Sequence, residues 1–187
     1  AGPLSEKLIR VEPFTPPMGI PFSIFFFDGQ VQASLPRLED WLEADPDTPF
    51  TRYWGALSYA IASQHEKSIY WLDKLLKDTP GLVFGKFAAF FKPLLINEPG
   101  KARAMLTEEL LSSAGQHEYI PVYMAMGLAM LKDKEGVMVW LMKSLQLGVS
   151  QPKLIENIEP IISLMKGDPA FENYMDTILA LSADFLN

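Results

Sequence analysis

Cysteine is absent from the 187 residues. That excludes disulfides, thiolate nucleophiles and cysteine-ligated zinc or iron–sulfur sites. Histidine occurs only as His65 and His117. A zinc-protease helix would need a second histidine four positions on, where Ile69 and Pro121 stand, so both histidines read as solvated turn residues. A basic excess is missing too. The 16 Lys and Arg are outnumbered by 23 Asp and Glu, a formal charge of −7. Autonomous nucleic-acid binding is not expected, because neutralising phosphates requires a positive face. No apolar run is long enough to span a bilayer. The longest without a charge, Tyr119 to Leu131, falls short of the roughly 20 residues required, so no membrane partner is expected. Catalytic patterns are missing as well. Glu39-Asp40 and Glu108-Glu109 are sequence neighbours that do not share a helix face. The serines lie in no nucleophile elbow, and Gly85-Lys86 and Gly100-Lys101 lack the earlier glycine of a phosphate loop. The reading is a non-enzyme with no cofactor and no metal. The chain opens on Ala1 rather than Met and shows no secretory leader, as expected of a processed chain or an excised fragment.

Apolar residues are plentiful, at 49% of the chain with 12% aromatic, enough to bury a core. They recur with a period. Ser34, Ser68 and Ala102 are 34 residues apart, and Val137 follows after 35. Leu38, Leu72, Leu106 and Leu141 keep that spacing, and Pro46 and Pro80 share it. The extra residue fits the loop 112–116. Each unit reads as two helices. In the second, Asp47 or Thr48 can cap a helix through Tyr53, Trp54, Leu57 and Ile61. A turn at Ser63-Gln64-His65 leads to a second helix with the stripe Ile69, Leu72, Leu75 and Leu76. Thr79-Pro80-Gly81 ends it. The fourth unit repeats the plan, with a turn at Lys132-Asp133 and a stop at Gly148. In the first, Pro21 to Phe27 reads as a short helix or a strand, followed by the turn Asp28-Gly29 and a helix from Val31 to Ala44. In the third, Pro93 is expected to end or kink its helix and Pro99 to start the next, with a longer, distorted bend between them.

The pattern resembles the tetratricopeptide repeat family, whose unit is a helix pair of about 34 residues. The family's small, aromatic, small and proline positions fall on Ala56, Tyr59, Ser68 and Pro80 in the second unit. In the fourth they fall on Ala125, Leu128 and Val137, with the proline missing or displaced to Pro152. Phe22 violates the small slot in the first, and Pro93 occupies the aromatic slot in the third. The tail, Glu159-Pro160-Ile161-Ile162 followed by Asp168-Pro169-Ala170-Phe171, looks like the segment that closes such repeats in bacterial transcription regulators, cyclases and kinases. Asp168 can cap a helix starting at Pro169.

The resemblance implies an all-α fold, a right-handed α-α superhelix. Residues 1–19 form an N-terminal arm or linker, 20–150 four degenerate helix pairs and 151–187 a C-terminal helical cap. It implies a protein–protein interaction or regulatory module of a larger bacterial signalling or transcription-regulatory protein. The partner is a protein or peptide, or another domain of the same parent chain. The expected location is cytoplasmic; the lack of cysteine fits a periplasmic one equally. In stacked pairs the first helices line the concave side. The candidate groove is therefore Phe50, Tyr53, Trp54, Phe84, Phe87, Phe91, Tyr119, Val122, Met126 and Met130, where an apolar segment would dock on an adaptable methionine-bearing surface. A small-molecule sensor enclosed by the same residues is the alternative. Homodimerisation is a third expectation, through rings of Phe22 to Phe27 left uncovered at the N-terminal edge.

Overall fold

The structure is a computed structural model, and it describes residues 19–149 and 151–184. The expected arm therefore lies outside the described residues, apart from Gly19. Twelve helices hold 76% of the described residues, and none of these residues is in a strand. They are α1 (Gly19–Phe27), α2 (Val31–Ala44), α3 (Pro49–Ile61), α4 (His65–Asp78), α5 (Val83–Leu95) and α6 (Pro99–Ala104). After them come α7 (Glu108–Ala114), α8 (Pro121–Met130), α9 (Lys134–Gln146), α10 (Pro152–Ile155), α11 (Glu159–Met165) and α12 (Pro169–Asp184). No described helix is long and apolar enough to cross a membrane.

The repeat is written into the backbone at its turns. Gly29, Ser63, Asn97, Lys132 and Gly167 all have positive φ, between 58 and 77°. Their spacing is 34, 34, 35 and 35 residues. At the first four, the left-handed residue donates its N–H three residues back and the next residue donates five residues back. Thus Gln64 N–H reaches Tyr59 O at 2.7 Å, Glu98 N–H reaches Pro93 O at 2.7 Å, and Asp133 N–H reaches Leu128 O at 3.0 Å. This arrangement satisfies orphan carbonyls at a helix end and aims the chain into the next helix. Gly167 joins α11 to α12, so the segment expected as a cap is itself a helix pair with the same left-handed turn residue. Asp168 caps α12, its carboxylate accepting from Ala170 N at 3.0 Å and Phe171 N at 3.4 Å.

Packing inside a pair follows the small slots. Ser68 Oγ donates to Ala56 O at 2.7 Å, so the two helices touch where their side chains are smallest. In the third pair Phe90 occupies the corresponding slot. Its ring lies against α8, where a Cβ added at Gly127 would come within 2.4 Å of it. A large residue in one unit is thus answered by a missing side chain in the next.

Several expectations change. Of the two alternatives for Pro21 to Phe27, the structure shows the helix; what changes is its exposure, since Phe22 and Phe26 are fully buried and the N-terminal edge is not the uncovered ring surface expected for a homodimer. Thr48 stands at the start of α3 but makes no capping bond; its hydroxyl donates to Asp45 at 2.7 Å. The turn there is held by buried Arg52, which donates to Pro46 O at 2.7 Å, Asp78 at 2.6 Å and Asp47 at 2.8 Å. Pro93 neither ends α5 nor lengthens the bend. The helix runs on to Leu95 and the turn after it is as tight as the others. One lost hydrogen bond near a helix end is outweighed by burial of Phe87, Phe90, Phe91 and Leu94. The break falls instead in the following helix, which splits into α6 and α7. Thr107 restarts it by accepting from Leu110 N at 3.2 Å.

Neighbouring helices make most of the contacts, but the two ends of the array also meet. Asp28 at the end of α1 pairs with Lys153 on α10. Gly29 approaches Lys153 O so closely that a Cβ would sit 2.6 Å from it. The consequence is burial of helices that an open array would leave half exposed. Every residue from Thr51 to Ala60 on α3, and from Pro121 to Ala129 on α8, is buried.

Candidate functional site

The N-terminal ends of α3, α5 and α8 carry most of the residues expected to line a groove. Trp54 is their centre. Seven rings have centroids 5.5–5.9 Å from it, drawn from α1, α3, α8 and the turn before α8. Edge-on contacts predominate, the geometry that ring quadrupoles favour. Tyr53 lies 4.8 Å from Phe84 with the rings tilted by 37°, and its hydroxyl donates to Tyr119 O at 3.2 Å. Tyr53, Trp54, Phe87, Phe91, Val122 and Met126 are buried, while Phe50, Phe84, Tyr119 and Met130 are half-buried. The groove expected here is filled by its own side chains. An apolar segment has no trough to enter at Tyr53, Trp54, Phe87, Phe91 or Val122, and a flat ligand cannot be enclosed between those rings. The reason is that α3 and α8 meet across the space an open array would leave between them.

The chemistry of this end is that of a core. Burial pushes the Tyr53 and Tyr123 hydroxyls well above the ordinary tyrosine range, so both stay protonated. Tyr123 Oη is buried with no hydrogen-bond partner. His117 is not a solvated turn residue. It is half-buried, packs edge-on to Phe84 at 5.2 Å, and accepts from Tyr119 N at Nδ1 (3.3 Å). Burial lowers its pKa, against a smaller opposing effect of Glu118. Among the described residues no group of three or more His, Asp or Glu could hold a metal ion.

The opposite ends of the same helices are open. Where α3, α5 and α8 finish, they and α11 enclose a cleft of about 630 Å³. Its apolar lining includes Ile61, Leu94, Leu95, Met126, Met130 and Ile158, and its polar groups are Ser63, His65, Asn97, Lys132, Glu159 and Ser163. None of those six polar side chains hydrogen-bonds or ion-pairs with another described residue. Ser63, Asn97 and Lys132 are the three left-handed turn residues that are not glycine. Successive turns thus present a hydroxyl, an amide and an ammonium along one wall of the cleft. Of the ten residues expected to line the groove, Met126 and Met130 reach this space. The turn residues were not among the ten. Their signal was the 34- and 35-residue spacing itself, followed from the helices into the turns.

No family model, no curated protein and no solved structure matches this chain.

Proposed function

We propose that the chain is a tetratricopeptide-like array of helix pairs wound as a right-handed superhelix. Its function is to bind a short peptide segment, from another protein or from another domain of its parent chain, in the cleft at the turn ends. The observation that carries this reading is the pairing of an apolar methionine-containing floor with six polar side chains that have no partner among the described residues. A peptide offers what such a lining lacks. Its backbone supplies donors and acceptors for Asn97, Ser63 and Ser163, and an apolar side chain can settle on Met126 and Met130, whose thioethers adapt to shape. The opposed charges of Lys132 and Glu159 would orient the segment. The resemblance to bacterial regulators supports a place in a signalling or transcription-regulatory protein, with the bound segment reporting the state of an output domain. A small-molecule sensor is the second reading, favoured by a volume within the range of small-ligand sites.

Peptide-library selection on the intact chain tests it. Ser163→Trp fills the cleft from an exposed position, and Lys132→Glu reverses its cation. Selected peptides should lose about tenfold or more in affinity with either change. Peptides that bind all three proteins alike would place the site elsewhere. A library yielding no binder, together with a thermal shift in a metabolite screen that Ser163→Trp removes, would transfer the cleft to a small ligand.

A further inference from the structure

Helix α9 is apolar on two sides. Val137 and Leu141 are buried, yet Val139 is 60% exposed and Met142 43% exposed. Leu111 on α7 borders the same surface, across a shallow hollow of about 710 Å³ that Gly115 helps to line. Helical spacing places Glu135, Val139, Met142 and Gln146 on one outward stripe, with Lys143 beside it. Glu135 and Lys143 stand four residues either side of Val139, about 6 Å along the axis in each direction. Neither forms an ion pair with another described residue.

We propose that this face pairs two copies of the chain, with the α9 helices antiparallel about a two-fold axis at Val139. That operation sets Val139 against Val139 and brings each Glu135 to the second copy's Lys143, so both unpaired charges are matched. A self-complementary patch is what an isologous dimer requires. A partner carrying one sign of charge would satisfy Glu135 or Lys143 and repel the other. The chain carries a net charge of −7, so self-association needs a face without acidic excess, and this stripe balances one acid with one base. The patch is small, which puts the dimer among transient interfaces.

Sedimentation equilibrium on the full chain, from micromolar to millimolar concentration, tests the pairing. The wild type should show a monomer–dimer equilibrium. Glu135→Lys and Lys143→Glu should each weaken it about tenfold or more, since each replaces two attractions by two repulsions. The double variant, and an equimolar mixture of the two single variants, should recover it. Val139→Glu should abolish it, with circular dichroism confirming that this exposed change leaves the fold intact. A wild type monomeric throughout would overturn the proposal and leave the face to a different partner. Dimerisation indifferent to Val139→Glu would overturn it as well. Weakening by both single changes without recovery in the double variant would overturn the antiparallel arrangement.

Discussion

Helices α3, α5 and α8 have two ends, and the two ends have opposite fates. At their N-terminal ends, rings from α1, α3, α8 and the turn before α8 close on Trp54 and leave little but the edges of Phe27, Phe50, Phe84 and Tyr119 half-exposed. At their C-terminal ends the same helices diverge around a cleft whose polar lining has no partners among the described residues. The same repeat spacing produced both. What differs is the size of the residues between the first helices. Large aromatics fill the space at one end, while at the other the lining is aliphatic side chains, methionines and turn residues, with no aromatic ring beyond His65. A period of this kind places elements, and side-chain volume then decides whether the space between them is core or site.

That contrast can be broken most directly at its solid end. Trp54→Ala removes the side chain that seven rings touch. It should cost about 3–5 kcal/mol in chemical denaturation, the usual range for deleting a buried tryptophan. A loss below about 1 kcal/mol would mean that the rings do not form one packed unit. Next in size is Gly127→Ala, midway between the ends. Its methyl group would meet the Phe90 ring, so a loss of about 1–3 kcal/mol is expected. Combination with Phe90→Leu should recover part of it, whereas simple addition of the two losses would argue against the proposed fit between the units.

The open end should respond in the other direction. Lys132→Gly relieves a left-handed backbone and should stabilise the fold by about 0.5–1 kcal/mol. The same change removes the cation from the cleft, so under the proposed function peptide affinity should fall as stability rises. A parallel change in both would separate Lys132 from the site. The smallest effect concerns pH. Burial lowers the pKa of His117 in the folded state below its ordinary value of 6.5. The unfolded chain therefore binds more protons between those two values, and stability falls as pH drops through that window. His117→Gln should flatten the slope there. Asp28 and Glu39 have lowered pKa values, through Lys153 and Lys67 respectively. Their contribution is lost only at lower pH, as the medium falls through the carboxylate range. A slope unchanged by His117→Gln would place this ring in water rather than among Phe84 and Tyr119.

Much of the helix layout was legible in the residues. The turns at Asp28-Gly29, Ser63-Gln64 and Lys132-Asp133, the stop after Asp78 and the cap at Asp168 all follow from local chemistry. Local chemistry misled at Pro93, because burial of the phenylalanines around it was not visible one residue at a time. It left Pro21 to Phe27 open between a short helix and a strand, because an aromatic run suits a strand as well as a buried helix. His117 looked solvated because the Phe84 ring packed on it comes from an earlier helix. The groove was the largest divergence. Its ten residues were chosen as the inward side of an open array, and nothing in a period of 34 indicates how far the array curls.

Sequence by itself therefore determined most of the helices, most of their turns and the period that relates them. Each depends on residues within one or two turns of one another, through hydrogen bonds and backbone preferences that act locally. Tertiary structure alone decided that Asp28 meets Lys153, that α3 and α8 are wrapped on all sides, and that the open space lies at the turns. Those outcomes depend on volumes and charges brought together from residues 66 and 125 positions apart, whose meeting no local pattern encodes.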